Sequence, residues 1–70
     1  MMIWERSGGA YYAIAETPSG EHRFYLTVEQ LSDRAWDWSV CRPRVSPHLA
    51  VHGLADTVHA AMQAAEAVVQ

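Results

Sequence analysis

Arg34-Ala35-Trp36-Asp37-Trp38-Ser39-Val40-Cys41-Arg42 alternates in character at every step. On an extended chain Trp36, Trp38 and Val40 fall on one side, and Ala35, Asp37, Ser39 and Cys41 fall on the other. The stretch before it, Glu21 to Glu29, repeats the pattern. Phe24, Leu26 and Val28 share one side; Arg23, Tyr25, Thr27 and Glu29 share the other. Two neighbouring alternating segments joined by Leu31-Ser32-Asp33 predict an antiparallel pair.

Working outward, Ala10 to Glu16 reads as another strand, and His48 to about His52 as a shorter one. Trp4 begins either an earlier short strand or the same strand broken by a bulge at Gly8-Gly9. Gly8-Gly9, Thr17-Pro18-Ser19-Gly20 and Pro43-Arg44-Val45-Ser46-Pro47 supply the reversals. After Gly53 the period changes. Val58, Ala61, Met62, Ala65, Val68 and Val69 fall at the three-and-four spacing of a helical stripe. Asp56 or Thr57 offers the N-cap oxygen, and Asp56 suits the positive end of the helix dipole. Alanine dominates this helix, so it can approach a sheet closely.

The predicted fold is α+β: an antiparallel meander of three or four strands with one C-terminal helix packed on one face, a single domain over residues 1–70. Opposed residues in a sheet must point to the same side. That rule pairs Val40 with Leu49 and Trp38 with Val51. It also sets Cys41 near His48, Asp37 near His52, Leu26 near Trp38 and Tyr25 near Ser39. Slippage by two residues preserves the pattern; slippage by one inverts it. Trp36 and Trp38 are assigned to the core, on the face beneath the helix. The uncovered face is expected to carry Tyr11, Ala13, Ala15, Arg23, Tyr25, Thr27, Asp37, Ser39, Ala50 and His52.

Composition narrows the chemistry. Seventy residues, half of them hydrophobic and 19% charged, suit one small folded core. Such a core supplies only ~3–5 kcal/mol of net stability. One cysteine excludes an internal disulfide. No apolar run approaches the ~20 residues of a membrane helix, and Met1-Met2-Ile3-Trp4-Glu5-Arg6 lacks a signal-peptide pattern. The expected location is the cytoplasm. A net charge of -3 argues against a phosphate-tracking nucleic-acid binder. All five cations are arginine, which leaves no lysine for Schiff-base or P-loop chemistry.

Each candidate constellation has a plain structural alternative. Cys41, His48, His52 and His59 invite a zinc reading. On a strand, however, His48 and His52 stand ~13 Å apart, and two ligands do not make a structural site. Cys41 beside His48 lacks a third group to orient the base and a glycine-rich oxyanion turn. Asp37 with His52 is a cross-strand contact rather than a catalytic dyad, because an open sheet offers no pocket. The other carboxylates show no paired spacing. Neither the Gly8-Gly9 pair nor Gly20 opens a helix, so neither makes a phosphate loop. Catalytic residues, cofactor-binding residues and metal ligands are therefore all expected to be none.

The ending Gly53-Leu54-Ala55-Asp56-Thr57, followed by Ala61, Ala64 and Ala65, resembles the strand-to-helix corner of small phage and bacterial sheet-plus-helix proteins. Gly8-Gly9-Ala10-Tyr11-Tyr12-Ala13 and Trp36-x-Trp38-x-Val40 are similar to the same group. That resemblance implies a fold more than a function. The corner is also similar to the antitoxin halves of HicA–HicB pairs, although the chain lacks their Pro-Asp-Leu-Pro-Gly segment and a DNA-binding extension. The double-stranded-RNA-binding domain also ends on a helix, but it adds a first helix and a lysine-rich last helix that this chain lacks.

The expected function is non-enzymatic protein binding, as an inhibitor, an antitoxin-like component or an accessory subunit. Phage-encoded inhibitors such as anti-CRISPR proteins share this size class. The expected interface is Tyr11, Arg23, Tyr25, Asp37 and His52, since interfaces enrich tyrosine and arginine. A homodimer through the open faces, or through the edge of the first or fourth strand, would supplement the small core. The alternative is a nucleic-acid-associated module that uses the open face with Arg23, Arg42 and Arg44.

Overall fold

Two tight reversals order the first four strands. The computed structural model describes residues 2–16, 20, 23–42 and 49–69, with residues 49 and 50 entering through their backbone. Strand β1 (Glu5–Ser7) turns through Gly8-Gly9 into β2 (Ala10–Glu16), with Ser7 opposite Ala10. Gly8 takes φ +62°, a conformation that glycine adopts without a steric penalty. The glycine pair is thus a hairpin turn rather than a bulge. Strand β3 (Arg23–Ser32) turns through Asp33-Arg34 into β4 (Ala35–Arg42), with Ser32 opposite Ala35 and a register irregularity between Gln30 and Ser32. Strand β5 (Leu49–Ala55) follows, then helix α1 (Val58–Val68).

The order is β1-β2-β3-β4-β5, every neighbour antiparallel. The protein is an α+β domain: a five-stranded meander with one C-terminal helix packed against strands β4, β3 and β5. Thr57 is the N-cap. Its Oγ1 accepts from the Ala60 backbone N–H at 3.1 Å, satisfying one donor that the first helical turn leaves unpaired. Ala61 and Ala65 are fully buried, so the helix meets the sheet through its smallest side chains.

Among β3, β4 and β5 the register differs from the expected one by two residues, which keeps each of their side chains on its expected face. Val40 stands opposite Val51, and Trp38 opposite Gly53. Leu26 stands opposite Val40, and Val28 opposite Trp38. The physical reason at β5 is volume. A Cβ on Gly53 would lie 2.8 Å from the Trp38 indole, closer than real side-chain carbons approach. The indole occupies the place of the missing side chain. The strand therefore continues past His52 to Ala55; its expected start, His48, lies outside the described residues.

One face assignment is overturned. Ala13 pairs with Leu26, Tyr11 with Val28 and Ala15 with Phe24. These three β2 residues therefore lie on the helix side, and Tyr12, Ile14 and Glu16 lie on the open side. Ala13 is buried and Ala15 half-buried. The cause is the segment before β1: Met2 and Trp4 pack against the Ala13, Leu26, Val40 and Ala65 cluster, and small β2 residues give them room. Tyr11, expected on the open face, is half-buried with its ring 6.3 Å from that of Trp36 and the Arg6 guanidinium 5.8 Å above it.

Trp4 ties the two ends of the chain together. Its Nε1–H donates to Glu66 Oε2 on α1 at 2.8 Å in a partly buried setting. Both tryptophans of β4 are half-buried; Trp38 packs against the core cluster, whereas Trp36, expected in the core, lies beside Tyr11 outside that cluster. Leu26 and Val28 are the largest fully buried side chains. Complete burial of each contributes about 1.5–3 kcal/mol.

Two stability outcomes follow. Gly53→Ala forces the indole aside and should cost about 1–3 kcal/mol by urea denaturation. Trp4→Phe removes the bond to Glu66 while keeping the ring, and should cost about 1.5–3 kcal/mol. In a Glu66→Ala background the same Trp4→Phe change should cost much less, as a double-mutant cycle would show.

Candidate interaction face

The sheet side opposite α1 is built in rows, because opposed residues share a face. One row crosses all five strands: Glu5, Tyr12, Thr27, Ser39, His52. Beside it runs Ile14, Tyr25, Cys41, with Ala50 at the β5 register position. On the other flank lie Ser7, Ala10, Glu29, Asp37 and Leu54. Arg23 and Glu16 close the end of β2 and β3.

The face has an apolar part on β2 and β3. Tyr12 is 46% exposed, Ile14 56% and Tyr25 39%, and Ile14 stands directly across from Tyr25. Leu54, at 67%, adds a separate apolar side chain on β5. Between them Thr27, Ser39 and Cys41 are half-buried and present a low surface.

Charge surrounds the apolar part. Among the described strand residues, Glu5, Glu16, Glu29 and Asp37 lie on this face with Arg23. Arg23 is committed to Glu16, with Nε at 3.0 Å and Nη2 at 2.6 Å from Oε1. Glu16 foremost, then Tyr25, raises the Arg23 pKa above its ordinary value. The pair is exposed, so it adds little to stability. Glu29 stands directly opposite Asp37, which puts two carboxylates on adjacent strands of one row. Like charges so placed repel.

Of the residues expected at the interface, Arg23, Tyr25, Asp37 and His52 are on this face. Tyr11 is not. Tyr12, Ile14 and Leu54 are on it and were not anticipated. The signal was ambiguous: Tyr11 and Tyr12 are adjacent, so either parity of β2 puts one tyrosine outward. The expected Asp37–His52 contact is not formed across the strands, since Asp37 faces Leu54 and His52 faces Ser39. Arg42 is on the helix side, its guanidinium 5.9 Å from the Phe24 ring centre. The basic trio of Arg23, Arg42 and Arg44 is therefore divided between faces at its first two members; Arg44 lies outside the described residues.

The remaining chemistry is sparse. Cys41 is a free, half-buried thiol opposite Tyr25; His48, its expected neighbour, lies outside the described residues. Among the described residues no group of three or more His, Cys, Asp or Glu side chains comes together to hold a metal ion. No helix among them is long and apolar enough to cross a membrane. Comparison of the chain with protein-family models, curated proteins and solved structures returned no match.

The opposed carboxylates provide a direct check of the face's electrostatics. Glu29→Gln should raise stability by about 0.2–0.5 kcal/mol at neutral pH and low salt. The gain should shrink in high salt, where exposed charges are screened. Paired denaturation curves at two ionic strengths measure both effects.

Proposed function

We propose that the protein is a non-enzymatic binding module that docks a partner protein on the open face of its sheet. The observation that carries this reading is the exposed Tyr12–Ile14–Tyr25 group on a face that α1 leaves uncovered. Aromatic side chains with an aliphatic neighbour are what interface centres enrich, and a charged rim is what surrounds them. The rim's excess of carboxylates fits a partner with arginine or lysine around an apolar centre. Such a module serves as an inhibitor, an antitoxin-like component or an accessory subunit, a size class that includes phage-encoded inhibitors of host defence. A free thiol in place of a disulfide suits the cytoplasm.

The nucleic-acid reading draws no support from this face. Among the described strand residues of this face, Arg23 is paired with Glu16, and Glu5, Glu16, Glu29 and Asp37 would repel a phosphate backbone.

The test compares capture from a native-host lysate by the wild-type chain and by variants. A partner retained by wild type should be lost with Ile14→Lys and with Tyr25→Ala. It should be kept with His59→Ala, an exposed helix residue away from the face. Measured on the identified partner, the two face variants should weaken binding by about 30-fold or more, the scale of an interface hot spot. Equal capture by all variants, or a salt-sensitive shift with RNA or DNA, would overturn the proposal.

A further inference from the structure

The two edges of the sheet are unlike. Edge strand β1 is three residues long, Glu5-Arg6-Ser7, all exposed, two of them charged. Short length and charge are the ordinary protections of a sheet edge. Edge strand β5 runs for seven residues, Leu49-Ala50-Val51-His52-Gly53-Leu54-Ala55. It contains no lysine, carboxylate or proline, and its register with β4 is unbroken from Leu49 to Ala55. Among the described residues no strand pairs with its outer side. A row of backbone donors and acceptors that long, with no blunting device, is a template for another strand.

We infer that β5 pairs with the β5 of a second copy of this chain, antiparallel, about a two-fold axis through His52, to give a continuous ten-stranded sheet. Three observations select a second copy and this register. First, residue 52 is the midpoint of the strand, so this axis pairs all seven positions, whereas moving it by one residue leaves two unpaired. Second, the register sets no like charges against each other: it pairs position 49 with 55, 50 with 54 and 51 with 53, and the sequence from 49 to 55 contains no Asp, Glu, Lys or Arg. Third, a symmetric arrangement of open face on open face would bring Glu5, Glu16, Glu29 and Asp37 of both copies together, while Arg23 of each is paired with Glu16. The β5 edge carries no such repulsion. An isologous contact of this kind closes at two copies and leaves both open faces on the same side of the joined sheet. The inference is independent of what the open face binds.

At a two-fold axis a single substitution faces itself. The test is sedimentation of the full chain up to about 1 mM, the concentration dependence that a dimer requires. Wild type should approach twice the 7.8 kDa monomer mass. His52→Lys and His52→Glu, each placing like charges across the axis, should each weaken self-association by about tenfold or more. An equimolar mixture of the two variants should recover the dimer, because lysine then meets glutamate. A chain that stays monomeric throughout, or variants that lose the dimer without recovery on mixing, would overturn the inference. Circular dichroism of each variant separates lost pairing from lost fold. Partner capture on the open face is read separately, so either reading can fail while the other stands.

Discussion

The indole of Trp38 lying on Gly53 is the constraint from which the arrangement of the C-terminal half follows. A β-carbon at position 53 has no room there, so glycine is the residue that can stand across from the tryptophan. With that pair in place, Val40 meets Val51 and Ser39 meets His52. The strand must then run on to Ala55, and the helix can begin only after Asp56 and Thr57. The same contact fills the space between β4 and α1 with an aromatic ring, while Ala61 and Ala65 let the helix settle close beside it. A bulky ring on the sheet and small residues on the helix are two halves of one packing solution.

An eleven-residue helix does not span five strands. It rests on β3, β4 and β5, and the chain completes the cover on the other side with Met2 and Trp4. The hydrogen bond from Trp4 to Glu66 joins the start of the sheet to the end of the helix across 62 residues of sequence. Both ends of the chain are therefore spent on one face. Among the described residues no helix packs on the opposite face, and Tyr12, Ile14 and Tyr25 are exposed there. The unequal treatment of the two faces follows from the helix supply: among the described residues there is one helix to place.

The two sides of the sheet also differ in charge. Carboxylates gather on the open face, while Arg6 and Arg42 lie on the helix side over Tyr11 and Phe24. The net charge of -3 is thus unevenly distributed, and composition alone could not place it. Carboxylates placed on one face repel a second copy of that face.

Strict alternation made β3 and β4 readable from the residues, because a period of two with large apolar side chains on one side has one buried solution. The helical stripe from Val58 and its cap at Thr57 were legible for the same reason, as was the side on which Arg23, Tyr25, Asp37 and His52 lie. Strand β2 was not. Tyr11-Tyr12-Ala13-Ile14-Ala15 has apolar residues at both parities, so periodicity could not choose a face. The choice was made by Trp4 and Met2, distant in space until the sheet forms, which need the room above Ala13 and Ala15. Register was open in the same way, since shifts of two residues leave every face unchanged. Local sequence determined which segments extend and which coil, through the period of their side chains; only tertiary packing decided which side of β2 is buried and that Trp38 meets Gly53, because volume is shared between residues that are neighbours only in the folded chain.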